Sequence, residues 1–388
     1  LGIILALLFN FANGLNDAAN SIATIIATKA LTPLQAVLLT GVFNLLAPLF
    51  FTTAIAATIG KGIVDPVFLT PLLILMALLG AVLWVFLTSF FGIPVSSSHA
   101  LIGGLLGAGM AAAGTGAVLW PSIAVIRQTA LYAIAGAFIG AIITAAVAYR
   151  RDDFKPWNFI VGGLIGVTVI IPFAIAAGFL KIGGILAVVI FIVISPMLGF
   201  LSAFVLATLI TCIFRNYPPR RLSSLFKNLQ IFSGSFQAIG HGSNDAQNAM
   251  GIITAMLLAG GLITEFYVPL WVIFASSLAI SLGTLFGGWR VIDRMANKIT
   301  RIRPYQGFSA STAAGGVLSL MTAFGIPVST THVAIGAIMG VGTTRGYSAV
   351  KWGVVREILI AWILTIPASA VVSGGCYVIA LALIGEVF

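Results

Sequence analysis

Charge is what this sequence has least of: nine acidic and nineteen basic residues in 388 positions, 7% in all. Ordinary soluble domains carry about 25%, so a chain solvated on every side is excluded. Cysteine is almost as scarce. Cys212 and Cys376 sit far apart in apolar segments, which rules out a disulfide framework and leaves two packed free thiols as the expectation. Histidine occurs three times, at His99, His241 and His332, with no His/Cys group at metal-ligand spacing. The first apolar stretch has neither a basic segment before it nor a small-residue cleavage site, so it is expected to be a membrane helix and not a cleaved signal peptide. What is present instead is hydrocarbon. Hydrophobic residues make up 60% of the chain and mean hydropathy is +1.16, so the expected fold class is an all-α polytopic membrane protein partnered by the lipid bilayer. The net charge of +10 does not indicate nucleic acid, because the basic residues collect in short loops between apolar runs.

Hydrophobic runs broken by proline, glycine or charge predict about twelve transmembrane segments. They fall at 1–28, 34–59, 67–91, 93–114, 128–149, 157–179, 181–214, 228–262, 266–289, 306–325, 326–345 and 353–385, and the fourth and eleventh could be re-entrant hairpins. Threading them alternately, with "RRDDFK" (150–155) in the cytoplasm, places sixteen basic residues in inside loops and three, Lys61, Arg127 and Lys181, outside. The opposite orientation inverts that ratio. The positive-inside rule therefore predicts a multi-pass plasma (inner) membrane protein with both termini outside. Seven acids, Asp65, Asp152, Asp153, Glu265, Asp293, Glu357 and Glu386, fall at or near span ends, where solvated loop positions are the default.

The chain also repeats itself. "NDAANSIATIIA" (16–27) is matched by "NDAQNAMGIITA" (244–255), and "FGIPVSSSHALIGGLLGAG" (91–109) by "FGIPVSTTHVAIGAIMGVG" (324–342). The two offsets, 228 and 233 residues, differ by only five, which points to a duplication: 1–150 as the first repeat, 151–227 as connecting spans and a cytoplasmic loop, 228–388 as the second repeat. Seven crossings separate the two starts in the threading above, and an odd number turns the second copy upside down. Inverted-topology repeats with broken helices or re-entrant segments at matched positions are the main sequence sign of a secondary transporter, with its site at the repeat interface near mid-membrane.

Two acids fall inside spans, Asp17 and Asp245. A carboxylate at the bilayer centre costs roughly 2.5–3.5 kcal/mol, so each should face a cavity or a cation. Gly14 and Gly242 just before them predict a local unwinding whose freed carbonyls join the carboxylate in a hard-oxygen site. Asn20 and Asn248 lie at i+3 on the same helical face, Asn16 and Asn244 adjoin the acids, and Gln237 is a further candidate oxygen ligand on the second span. Oxygen ligands alone favour an alkali or alkaline-earth cation over a transition metal. The ordinary alternative, compatible with the first, is that each Asp caps a half-helix and the asparagines satisfy freed backbone.

"PVSSSH" (94–99) and "PVSTTH" (327–332) have another character. Pro94 and Pro327 interrupt the apolar run, three hydroxyl residues follow, Ser96, Ser97 and Ser98 or Ser329, Thr330 and Thr331, and a glycine-rich helix resumes. A helix starting there presents unpaired N–H groups, the positive end of its dipole and hydroxyl donors at one point, which is an anion cradle. Serine and threonine in membrane helices also bond back to their own backbone, but two triplets from oppositely directed halves favour one shared ligand. No Lys or Arg falls within either motif, so co-bound cations are expected to partner the anion. Neighbouring residues on a helix point apart and no Gly-x-Ser-x-Gly elbow occurs, so an enzyme is not expected. The histidines are expected to fix half-helix ends, with proton coupling as their other role.

Asn-Asp-Ala-x-Asn in both halves, each followed by a proline-led Ser/Thr motif ending in His, resembles the inorganic phosphate transporter (PiT) family over essentially the whole chain. The resemblance implies secondary transport of inorganic phosphate, coupled to sodium in many members and to protons, with metal-phosphate substrates, in some bacterial ones. It implies an essential acidic pair at Asp17 and Asp245 with sodium at both motifs, phosphate contacts from Ser96, Ser97, Ser98, Ser329, Thr330 and Thr331, no cofactor, and a homodimer as the assembly. The short join around Arg215 to Lys227, in place of the large insertion of animal members, is similar to a compact prokaryotic type. Asn44 departs from the pattern, since some members carry glutamate there; its neutrality weakens a proton relay and favours sodium. The expectation is a sodium-coupled phosphate symporter working by alternating access. Proton-coupled transport of phosphate or metal-phosphate stays open, as does an anion channel lined by the same hydroxyls, with an intramembrane hydrolase the least supported.

Overall fold

The structure, a computed structural model, describes residues 1–50, 52–150, 155–326 and 328–385. Pro327, Arg151, Asp152, Asp153 and Glu386 lie outside them. The described residues form fourteen α-helices: α1 (Gly2–Ala27), α2 (Pro33–Leu46), α3 (Ala54–Lys61), α4 (Pro71–Phe90), α5 (Ser97–Ala113), α6 (Ile123–Arg150), α7 (Trp157–Ala176), α8 (Gly184–Ile213), α9 (Pro219–Ala259), α10 (Leu270–Phe286), α11 (Trp289–Asp293), α12 (Pro304–Ala323), α13 (Thr330–Thr343) and α14 (Trp352–Gly385). Among these residues no strand forms; two isolated bridges, Val64 to Val118 and Thr300 to Val350, tie loops together. Proline starts α2, α4, α9 and α12, where its missing N–H costs nothing.

Each predicted stretch holds a helix, and 34–59 holds two. Pro48 cannot extend the α2 ladder, so the chain leaves α2 at Leu46, turns through Ala47–Leu49 and restarts as α3. Seven helices, α1, α4, α5, α6, α7, α8 and α14, are individually long and apolar enough to cross a membrane, and α10 with the segment from Trp289 to Lys298 makes an eighth, bent by 67°. The protein is thus a multi-pass membrane protein. The fourteen residues of α13 reach about 21 Å at 1.5 Å per residue, short of a hydrocarbon core of about 30 Å.

The helices do not break where Gly14 and Gly242 suggest. Both α1 and α9 run unbroken through their Asn-Asp motifs, so no freed carbonyls are available there and neither acid is a cap. The glycines serve close approach instead. A side chain on Gly14 would collide with the Ile280 carbonyl of α10, one on Gly283 with the Phe11 carbonyl of α1, and one on Gly242 with Asn44 of α2.

The interruptions fall at the hydroxyl motifs. After α4, Gly92 adopts φ +66; its N–H donates to the Ser89 carbonyl (3.0 Å) and that of Ile93 to Thr88 (2.9 Å), a glycine-terminated helix end. After α12, Gly325 repeats this with φ +67, donating to Thr322 (2.9 Å) while Ile326 donates to Met321 (2.9 Å). Ser96 and Ser329 then open α5 and α13 as N-caps. Each hairpin therefore delivers a helix N-terminus into the interior.

Three apolar clusters frame that interior. One joins the first half of α1 to α3, α4, α5 and the end of α9, a second joins the rest of α1 to α11, α13 and α14, and a third joins α7, α8, α12 and α13. On the periphery, α6 buries only Thr129, Gly136, Gly140 and Ala145 and exposes Leu131, Ile134 and Phe138, a lipid-facing distribution. Both cysteines are free, but Cys212 is exposed and not packed as expected, because it sits on the outward face at the end of α8.

Candidate functional site

The interior meeting point of α1, α9 and the starts of α5 and α13 is polar, although apolar residues surround it. Asp17 and Asp245 are both buried there. Their carboxylate oxygens and a nitrogen of His241 lie within 4.8 Å of one another. Motifs 228 residues apart thus converge on one cluster. In the medium of a protein interior, with an effective dielectric of about 20, two unit charges at such a distance repel by roughly 3 to 4 kcal/mol. A bound cation or a proton removes that cost.

The hydroxyl motifs contact this pair directly. Thr330 Oγ1 donates between Asp245 Oδ2 (2.8 Å) and Asp17 Oδ2 (3.4 Å), and Thr331 Oγ1 donates to Asp17 Oδ1 (3.0 Å) and the Val95 carbonyl (3.3 Å). Ser97 Oγ donates to Asn13 Oδ1 (2.6 Å) and Asp17 Oδ2 (3.4 Å). Ser96 and Ser329 accept the N–H groups of His99 and His332, at 3.3 Å each, so these two hydroxyls are occupied as caps. Ser98 accepts from Asn248 Nδ2 at 2.8 Å. All six hydroxyl residues therefore line up at two helix starts, with Ser97, Thr330 and Thr331 turned onto the acids.

The amides divide by role. Asn20 Nδ2 donates to Thr330 and Thr331 Oγ1 (3.2 and 3.1 Å), which crosses from the first half to the second, as Asn248 to Ser98 crosses back. Gln237 Nε2 donates to the Asn20 carbonyl (2.7 Å), and its buried Oε1, like Asn20 Oδ1, has no partner among the described residues. Those two oxygens suit a cation. Asn16 and Asn244 instead reach back to their own hairpins: Asn16 donates to Ser89 Oγ (2.7 Å) and Asn244 pairs with Thr322 Oγ1 (3.3 Å). Each pins its helix to a hairpin; Asn16 Oδ1 is left buried without a partner among the described residues, and Asn244, with its amide turned over, donates to Asp245 Oδ1 (3.3 Å).

The oxygen-only cluster expected at the acids gains a nitrogen. His241 Nε2 stands 3.2 Å from Asp245 Oδ2, and its Nδ1 is 3.1 Å from Asn44 Oδ1, whose amide donates to Thr284 Oγ1 (2.9 Å). His241 is therefore held against the second acid, rather than at a half-helix end. The other two histidines meet across the two helix starts, ring centroids 5.0 Å apart, with His332 stacked on Trp362 at 3.7 Å. Trp362 Nε1 donates to the Pro94 carbonyl (3.1 Å), locking the extended segment that precedes α5.

Asn13, Ser89 and Thr322 escaped the sequence reading. The repeat carried the signal for Asn13, since the offset that pairs Asp17 with Asp245 also pairs Asn13 with His241. Ser89 and Thr322 likewise share the 233-residue offset of the hydroxyl motifs, but a lone hydroxyl in an apolar helix carries no mark of its partner.

An all-helical membrane protein that buries paired acids, amides and hydroxyls where two copies of one motif pair meet has the organisation of a solute transporter. The phosphate transporter family matches residues 13–158 and 214–373, and the chain belongs to that family; it is a transporter, not an enzyme. It is 42% identical over 97% of its length to a "Probable low-affinity inorganic phosphate transporter" of Rhizobium meliloti, 94% of which is covered. A Bacillus subtilis protein with the same description is 36% identical, covering 97% of this chain and 95% of its own. Among solved structures, "The sodium-dependent phosphate transporter" superposes with a TM-score of 0.68 at 27% identity, covering 98% of both chains.

Proposed function

We propose that this protein imports inorganic phosphate by sodium-coupled symport with alternating access. One observation carries the reading: the donors best placed for an anion, Thr330 and Thr331, are spent on Asp17 and Asp245, and Ser97 reaches Asp17 at 3.4 Å beside its shorter bond to Asn13. Sodium held at the two Asn-Asp motifs, by the carboxylates with Asn20, Asn248 and Gln237, neutralises the acids and releases those hydroxyls. The freed donors, with the N-terminal dipoles of α5 and α13, then bind phosphate. Each ion thus prepares the site for the other, which is what coupling requires. Phosphate alone is driven outward by an inside-negative potential, whereas each net positive charge carried inward gains about 2.3 kcal/mol per 100 mV.

The same reading places the helical stretches in two inverted repeats, 1–150 and 228–388 joined by 151–227, with both termini outside. Matched contacts support it: Asn16 to Ser89 mirrors Asn244 to Thr322, and Asn20 to Thr331 mirrors Asn248 to Ser98. The loop bridges, Val64 to Val118 and Thr300 to Val350, fall at corresponding places after α5 and α13.

The His241–Asp245 contact favours one second reading, proton-coupled transport of phosphate or a metal-phosphate, with the imidazole and carboxylate exchanging the proton. Titrating purified protein with phosphate in sodium and in choline separates the two. Sodium coupling predicts a phosphate affinity at least about tenfold higher in sodium, a difference of 1.4 kcal/mol, and loss of that difference in Asp245→Asn. Equal affinities in both salts would remove the proposal and leave the proton reading.

A further inference from the structure

Away from the transport site, a cavity of about 450 Å³ opens between the end of α1, the turn from Arg294 to Lys298 and the loop before α12. Arg301, Arg303 and Arg345 all line it, together with Thr300 and Asn297. The carboxylates on this face are matched to other groups. Asp293 holds Asn297 (2.8 Å) and Lys298 (3.3 Å), and Glu357 holds Arg294 (3.4 Å). Among the described residues no acid pairs with any of the three arginines.

Local structure accounts for only part of this. Arg345 follows the C-terminus of α13, where a cation is favoured, and its Nη2 donates to Thr300 Oγ1 (3.0 Å) and to the Arg301 carbonyl. Its Nε is buried with no partner among the described residues. Arg301 and Arg303 stand just ahead of the N-terminus of α12, where the helix dipole disfavours cations and favours anions. Partial burial, then the Arg303 guanidinium and further the Arg301 guanidinium, pull the Arg345 pKa below its ordinary value, with Tyr305 opposing. Three cations lining one cavity, just ahead of a helix N-terminus, call for a negative charge that the described residues do not supply. Guanidinium groups bind phosphoryl oxygens through paired N–H donors, and the volume falls within the range of small-ligand sites.

We propose that this cavity is a second anion site, separate from the transport site, that binds a phosphoryl group. Two sources carry that chemistry: a soluble inorganic polyphosphate, or the headgroup of an acidic phospholipid. The second has a place for its chain, because Arg303 also borders an apolar cavity of about 530 Å³ lined by Phe214, Leu222, Phe226 and Tyr305.

The test uses purified full-length protein in phosphate-free choline buffer, with thermal unfolding and binding followed in two arms. One arm adds tripolyphosphate; the other compares phosphatidylglycerol with phosphatidylcholine nanodiscs. We expect stabilisation in at least one arm, identifying the source, with affinity reduced about tenfold or more in Arg303→Gln and in Arg345→Gln, the loss of one charge-assisted contact. Arg303→Lys should recover part of it. Thr330→Val, a transport-site change, should leave it intact. Should Arg345→Gln fail to fold, Arg303→Gln alone decides. No stabilisation in either arm, stabilisation indifferent to Arg303→Gln, or loss in Thr330→Val would overturn the proposal.

Discussion

A single hydroxyl proton carries much of the account. Thr330 Oγ1 lies between Asp245 and Asp17, so whatever changes the charge on that pair changes where the proton points. Thr330→Val keeps the shape but removes the donor. We expect phosphate affinity to fall about tenfold, in the range of a lost charge-assisted hydrogen bond, with the sodium response preserved; phosphate titration at two sodium concentrations reads both. Asp17→Asn and Asp245→Asn should insert normally yet accumulate no phosphate against its gradient, measured as uptake into proteoliposomes. Retained sodium dependence in both variants would take the cation away from these residues. At this scale the sequence showed the acids and hydroxyls because they repeat, and buried charge in a membrane span needs a reason. It did not show that the two acids share one cluster, nor that His241 joins it, because 228 residues separate motifs that only folding brings together.

Among the helices, the hairpins α4–α5 and α12–α13 do the positioning. Gly92 and Gly325 end the first helix of each, and Ser96 and Ser329 start the second. The proline and glycine in "FGIP" made those breaks legible. Gly14 and Gly242 misled, because the same residue that permits unwinding also permits two helices to touch, and only a neighbour's position distinguishes the uses. Gly283 tests the packing role. Gly283→Val would press a side chain into the Phe11 carbonyl of α1, and overpacking of this kind costs about 1–3 kcal/mol. The expected result is a lower unfolding temperature in detergent with impaired uptake; an unchanged unfolding temperature would mean that α1 and α10 are not held at this distance. On the opposite side of the molecule's polar economy, Arg301, Arg303 and Arg345 gather at helix ends, and their prediction rests on phosphoryl binding as set out above.

For the whole molecule, hydropathy recovers the membrane class and the lipid-facing helices. Helices α9, α12 and α13 are not both long and apolar enough to read as spans, because they are short or because they build the buried polar centre, α9 carrying Gln237, His241, Asp245 and Asn248. Of the four helices that meet at the polar centre, α1 and α5 read as spans and α9 and α13 do not. The apolar runs located them, and the repeat marked their polar residues. The central claim is that sodium and phosphate occupy this centre together and cross together. Phosphate uptake into proteoliposomes, with an imposed sodium gradient and a fixed proton gradient, tests it most directly. The account predicts uphill accumulation only when sodium is the driving ion and none when choline replaces it. Equal accumulation with and without the sodium gradient would contradict it.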